Sequence, residues 1–257
     1  LHEKEKIYIP ELIFGNLLTS SNYDQTEKKH VGGKNGYGAK LANIFSRQFT
    51  IETVDEKNKL KFIQTFRDNM KTKEKPRISK YGKKPYTQVS YIPDYTRFKQ
   101  TGLTDDMIKI IVKRAYDMAA WTDNTVNVFL NGEKIESKNF EKYVDLYIGG
   151  KSDTPRAYEK VNDRWEVVAC LNPNVSFEQV SFVNGIQTYK GGKHIDTVLN
   201  NISKRLADII LKKNKITVKP VFIKENIMIF VKATIDNPSF NSQTKECLTT
   251  NASQFGS

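Results

Sequence analysis

Cysteine is nearly absent from this chain, and so are the signs of a secreted or membrane-spanning protein. Cys170 and Cys247 are the only two cysteines in 257 residues, and neither has metal-ligand spacing. A disulfide scaffold and a zinc site are therefore excluded, and a reducing compartment is expected. The first residues, Leu-His-Glu-Lys-Glu-Lys, are no signal peptide, and no apolar run reaches membrane-spanning length. The expectation is a soluble, intracellular protein that makes no membrane contact. The chain also lacks an initial methionine, an internal repeat and a low-complexity tail. It reads as cut from something longer. Acidic residues are in deficit too, with 29 against 41 Lys and Arg, so the formal charge is +12. That balance suggests a polyanionic partner, although a lysine-rich solvated surface would give the same number.

What the chain does have is a glycine-rich loop ahead of a helix. Gly32-Gly-Lys-Asn-Gly-Tyr-Gly-Ala-Lys40 sets four glycines and two lysines before Leu41, Ile44, Phe45 and Phe49, which recur at helical spacing. Glycine lets the backbone approach oxyanions closely, and a helix start favours negative charge, so a polyphosphate is the expected ligand. Neither common nucleotide motif fits. Counted from Gly33, the lysine falls one place late for a P-loop, and Leu41 stands where a magnesium-binding hydroxyl belongs. Gly36-Tyr-Gly38 opens a dinucleotide fingerprint whose third glycine is also Leu41.

Around this loop the pattern is α+β. Pro10 suits the first turn of a helix carrying Leu12, Ile13, Leu17 and Leu18, ended by Thr19-Ser20-Ser21-Asn22. Strands are expected at 49–54, 60–66 and 87–92, with 71–84 as an exposed loop. Thr104 caps a helix through Met107, Ile108, Ile111, Ala115 and Met118. Val126, Val128 and Leu130 then alternate into Asn131-Gly132, a hairpin turn signal, and a domain boundary is expected there. The division is 1–130 and 131–257. In the second part, 149–155 reads as loop, and strands are expected at 165–171, 180–183, 216–223 and 227–235. A long helix runs from Ile195 to Ile210 and ends in Lys212-Lys213-Asn214-Lys215. His194, Trp121, Trp165 and the cysteines read as structural.

Three polar clusters accompany the loop, and each alone is more simply a surface turn or helix end. Ser20, Ser21 and Asn22 offer hydroxyls and an amide suited to ribose or phosphate oxygens. The stretch 237–245 places Gln243, Thr244 and Lys245 on a Pro-broken loop that can reach a terminal phosphate. Lys212, Lys213, Asn214 and Lys215 can touch a phosphodiester backbone or merely complement the helix dipole.

Taken in order, these clusters resemble the ATPase region of type IIA DNA topoisomerases of the eukaryotic kind. The resemblance rests on Ile9-Pro-Glu-Leu-Ile-Phe-Gly15, Leu17-Leu-Thr-Ser-Ser-Asn-Tyr-Asp24, the 32–40 loop, Val180-Ser-Phe-Val-Asn-Gly185, Gly191-Gly-Lys-His194 and Ser242-Gln-Thr-Lys-Glu246. It spans nearly the whole chain. It implies the later portion of a GHKL-type α/β sandwich, followed by a transducer domain similar to ribosomal protein S5 domain 2. By that similarity Ser20, Ser21 and Asn22 contact ATP, Gly33, Lys34, Asn35, Gly36, Tyr37, Gly38, Ala39 and Lys40 wrap its phosphates, and Thr87 lies near the adenine. Gln243, Thr244 and Lys245 come onto the γ-phosphate, with Lys245 as its sensor. The cluster Lys212 to Lys215 faces double-stranded DNA. The family works as a nuclear homodimer with Mg2+, its clamp closing on ATP to pass one duplex through a break in another; a viral member would act in the cytoplasm.

The departures from the family pattern are as informative. The family's water-activating glutamate, its magnesium-holding asparagine and its Asp-Xaa-Gly-Xaa-Gly strand belong to a segment upstream, and its DNA-cleaving tyrosine lies downstream. No residue here holds a metal by that comparison, and the chain alone is expected to be inactive. Lys34 stands where many relatives have arginine, and His30-Val31 replaces the commoner Val-Thr. The rivals are another GHKL ATPase, of the chaperone or mismatch-repair type, and a basic module that only binds nucleic acid. The Ser-Gln-Thr-Lys-Glu wording and the Leu-Thr-Ser-Ser-Asn-Tyr run speak against the first of these, and failure to bind an ATP analogue would favour the second.

Overall fold

The computed structural model describes residues 1–23 and 26–256, which form two compact units. The first comprises 1–26 and 33–105; the second comprises 106–257 together with the short segment 27–32. Compactness thus divides the chain at Asp105/Asp106, ahead of the boundary expected at 130/131, and assigns a piece of the loop region to the second unit.

In the first unit, α1 (Ile9–Gly15) and α2 (Tyr37–Ile44) accompany a sheet of β1 (Ser46–Asp55), β2 (Leu60–Arg67), β3 (Thr72–Lys73), β4 (Arg77–Lys80) and β5 (Thr87–Pro93). The order is β3-β2-β1-β5, with β4 also on β2, and every pairing is antiparallel. Phe49 and Ile51 of β1 and Phe62 and Phe66 of β2 form the core, with Tyr8, Phe14 and Ala42 packed against it. Period-2 alternation along β1 puts Phe49 and Ile51 on the core face. Three expectations are corrected here. The first helix stops at Gly15, and Leu17 and Leu18 are exposed, Leu18 at φ 59°. Phe49 belongs to β1 and not to the helical stripe after the loop, because α2 ends at Ile44. The stretch 71–84 is not wholly loop, since β3 and β4 extend β2's hydrogen-bond ladder.

The second unit opens with α3 (Asp105–Trp121) and a hairpin of β6 (Phe129–Leu130) and β7 (Glu133–Lys134). Asn131 and Gly132 turn it with φ of 52° and 85°, as the Asn-Gly signal requires. There follow α4 (Phe140–Ile148), β8 (Arg156–Asn162), β9 (Trp165–Leu171), β10 (Glu178–Val183), β11 (Ile186–Gln187), α5 (Lys193–Asn214), α6 (Pro220–Glu225) and β12 (Ile227–Ala233). The sheet order is β11-β10-β12-β9-β8. β10 and β12 are parallel, joined by the α5–α6 crossover, and the other pairs are antiparallel.

β12 is apolar on both faces because helices cover both. Ile227, Ile229, Val231 and Ala233 pack with Ile195, Leu199 and Ile223 from α5 and α6. Phe230, Val168 and Phe182 pack with Phe140, Tyr143 and Val144 of α4 and Ala120 of α3. A strand expected at 216–223 is instead a coil and then α6. Pro220 sits in that helix's first turn, where its missing N–H is no loss. His194 is fully buried at the start of α5, its Nε2 3.1 Å from the Thr188 hydroxyl. Burial pushes its pKa down to about 3, so it is neutral and structural.

Candidate nucleotide-binding loop and basic clusters

The glycine loop is held in shape by the turn of Thr19 to Asn22 beyond α1 and by the helix that follows it. Gly36 is the N-cap of α2 and sits in the left-handed region at φ 66°. A Cβ there would meet Lys40 Nζ at 3.2 Å, the Thr19 carbonyl at 3.2 Å and Ser20 Cβ at 3.3 Å, so both conformation and space select glycine. Lys40 is 2% exposed, and its ammonium donates to the carbonyls of Gly36 at 2.8 Å and Thr19 at 3.3 Å. Burial lowers its pKa. Lys40, expected among the phosphate-wrapping residues, thus also ties the loop to the turn at Thr19.

Ser20 and Asn22 are brought against the same loop. Asn22 donates its amide to the Gly33 carbonyl at 2.7 Å, while its own backbone N–H donates to Ser20 Oγ at 3.1 Å. Tyr23 donates its hydroxyl to the Asn35 carbonyl at 3.3 Å. Asp24, which ends the Leu17 run, lies outside the described residues. Ser21 is exposed beside them, and Thr87 stands on β5, its hydroxyl 2.7 Å from that of Thr53. Lys34, Gly38 and Ala39 are exposed on the loop and the first turn of α2.

These residues fit an anionic ligand. The N-cap of α2 is a glycine and supplies no side-chain cap. A Cβ added at Gly33 or Gly38 would meet nothing within 4 Å, which leaves the backbone open to a close approach. The donor set is amides plus Lys34, which is what a polyphosphate requires and a divalent cation does not. Among the described residues no three His, Cys, Asp or Glu side chains cluster as metal ligands.

In the second unit, Gln243, Thr244 and Lys245 lie on a loop closed by hydrogen bonds between Asn241 and Cys247. Lys245 takes φ 60°, and its N–H donates to the Ser242 carbonyl at 3.1 Å. Its ammonium has no partner among the described residues, and burial lowers its pKa. Next to it, Glu246 accepts from Lys190 at 2.5 Å and from the Thr244 hydroxyl at 2.9 Å. The hydrogen bond from Lys190, with those from Tyr189 and Thr244, holds the Glu246 carboxyl down at about 2. Lys212 and Lys213 occupy the last turn of α5, and Lys215 caps it at φ 60°, donating its N–H to Leu211. All of 212–215 is exposed.

Sequence reasoning missed the polar seat beneath residues 27–32. Asp236 pairs with His30, Lys28 and Arg164, and Asn237 bonds the backbone of Glu27 and Lys29. The only signal was an Asp-Asn pair before Pro238.

The family model described as DNA gyrase B matches residues 126–256. Curated relatives include DNA topoisomerase 2 of Candida glabrata, 48% identical over 274 residues, and of Arabidopsis thaliana, 49% identical over 265. Each match takes in all of this chain but only 19% and 18% of those relatives, so the chain spans under a fifth of their length. Among solved structures, the ATPase region of Saccharomyces cerevisiae topoisomerase II has a TM-score of 0.92 at 45% identity. The ATPase and transducer domains of Balamuthia mandrillaris DNA topoisomerase II give 0.93 at 43%. Both cover the whole chain and 66% of the solved chain.

Proposed function

Because the chain belongs to the type IIA DNA topoisomerases, as the ATPase and transducer region of that family, we propose that it carries half of an ATP-operated switch in a DNA-passing enzyme. The observation that carries this reading is the loop of 33–40, fixed by Gly36 and Lys40 yet open along its backbone. In this reading the loop amides and Lys34 bind the phosphates, and Ser20, Ser21, Asn22 and Thr87 contact the rest of ATP. Lys40 acts behind them by keeping the loop carbonyls turned away. The functional division is 1–130 for nucleotide binding and 131–257 for transduction.

Gln243, Thr244 and Lys245 are assigned to the γ-phosphate. An ammonium without an internal partner gains most from an anion that ATP has and ADP lacks. Lys212, Lys213, Asn214 and Lys215 are assigned to the backbone of double-stranded DNA, as an exposed cationic helix end suits. ATP when bound supplies the phosphoanhydride to be split. The water-activating group and the Mg2+ ligand are assigned to the family's upstream segment and the DNA-cleaving tyrosine to its downstream one. The intact protein is assigned to the nucleus as a homodimer. Titration of the intact protein with a non-hydrolysable ATP analogue tests the reading. Saturable binding that Gly36→Ala weakens supports it; no binding by the wild type overturns it.

A further inference from the structure

The segment 27–32 lies in the stem of the glycine loop, yet it is fastened to the second unit by polar contacts at one place. Asn237 holds it on three hydrogen bonds. Its backbone N–H donates to the Lys29 carbonyl at 3.0 Å, its side-chain oxygen accepts from the Lys29 N–H at 3.0 Å, and its side-chain nitrogen donates to the Glu27 carbonyl at 3.1 Å. One residue thus does the work of a partner strand. Asn237 takes φ 43°, a left-handed conformation that asparagine tolerates better than most residues.

The next residue in toward the sheet adds charge. Asp236, nearly buried, meets His30 Nε2 at 2.8 Å and Lys28 Nζ at 3.7 Å. Arg164 fixes that carboxylate from behind at 2.5 Å, and its other nitrogens donate to the carbonyls of Thr234 and Gly256. At the far end of the segment, a Cβ on Gly32 would stand 1.9 Å from Ile186 Cδ1, so the backbone lies directly on that side chain. Ordering six mostly exposed residues costs conformational entropy, and these contacts are what oppose it.

We propose that residues 27–32 are a strap that positions the glycine loop for nucleotide, and that Asp236 and Asn237 are its positioning residues. The proposal rests on the nucleotide reading above. Gly33 follows Gly32 directly, so the docked strap ends where the loop begins. Asn237 also opens the stretch that ends in Lys245, so one short run of chain holds the loop's stem at its start and the proposed γ-phosphate lysine at its end.

The test uses the intact protein with AMPPNP as probe, and hydrogen exchange by mass spectrometry on the peptide containing 27–32. Asn237→Ala should speed exchange at the Lys29 amide and raise the AMPPNP dissociation constant about tenfold, the loss expected for the two side-chain hydrogen bonds it removes. Asn237→Asp, which keeps the acceptor for Lys29 and loses the donor to Glu27, should fall between. A Lys28→Ala, His30→Ala double variant touches only exposed strap side chains and should raise the constant about threefold, so it decides the matter if Asn237→Ala misfolds. Faster exchange with unchanged affinity makes the strap a structural tether only and overturns the proposal. Unchanged exchange in all three variants overturns it as well. A wild type that binds no AMPPNP, with the strap still protected, defeats the nucleotide reading first and the positioning role with it.

Discussion

Lys40 donates its buried ammonium to the carbonyl of Gly36, four residues before it, at 2.8 Å. The charge that a glycine-rich loop would display to a phosphate is here turned inward, and the loop is shaped by it. Gly36→Ala should therefore act on shape. It forces a Cβ into contact with Lys40, Thr19 and Ser20 at φ 66°, and a left-handed alanine costs about 1–2 kcal/mol. Lys40→Met should cost a similar ~1–3 kcal/mol by stranding two carbonyls. Both variants should lower the urea midpoint and weaken ATP-analogue binding. If Lys40→Met left the midpoint unchanged and abolished binding alone, Lys40 would be a phosphate ligand after all.

Lys245→Ala should separate ATP from ADP. Its ammonium has no partner among the described residues, so the fold should hold, while AMPPNP affinity drops about tenfold or more and ADP affinity stays close to wild type. Isothermal titration of both nucleotides on the intact protein reads the difference. Equal losses for the two would remove Lys245 from the γ-phosphate.

Replacing Lys212, Lys213 and Lys215 with alanine should lower DNA-stimulated ATPase activity and flatten its salt dependence. Each lost phosphate contact should take roughly one unit from the slope of log affinity against log salt. The side chains are exposed on the last turn and C-cap of α5, so stability should change little. An unchanged slope would leave them as ordinary complements to the helix dipole.

The Glu246–Lys190 pair predicts an acid response local to the Lys245 loop. Glu246 titrates at about 2 in the folded protein, against an ordinary value of 4.5. A depressed carboxylate stabilises the fold above its unfolded pKa, and that contribution fades as pH falls from about 4.5 toward about 2. Glu246→Gln should therefore narrow the gap between denaturation midpoints measured at pH 6 and pH 3. A gap as wide as in the wild type would show that the pair contributes nothing.

The clearest parts of the sequence were those with a strong local cause. Asn131-Gly132 dictated a hairpin, the stripe from Ile195 to Ile210 a long helix, and the glycines before Leu41 a loop on a helix start. Where local signals conflicted, the reading slipped. Ile216, Thr217 and Val218 argued for a strand, but Pro220 started α6 instead. Phe49 fitted a helical period and an alternating one, and only pairing with Phe66 and Tyr91 resolves which. The seat of 27–32 was invisible because its partners lie more than two hundred residues away, at Asp236 and Asn237. Lys40 shows the same limit at short range: its burial and its bonds to the Gly36 and Thr19 carbonyls are not written in the local sequence.

β12 is hydrogen-bonded on both sides, to β10 and β9, and leaves the sheet three residues before Asp236. A strand clamped on both edges is stiff along its length. A pull applied at Lys245 cannot slide the base of its loop, since sliding would break two ladders at once. The load must either bend the loop beyond Asn237 or turn the five-stranded sheet and its helices as one lever. For the proposed γ-phosphate contact, a rigid mount of this kind keeps any stroke from being dissipated at its origin.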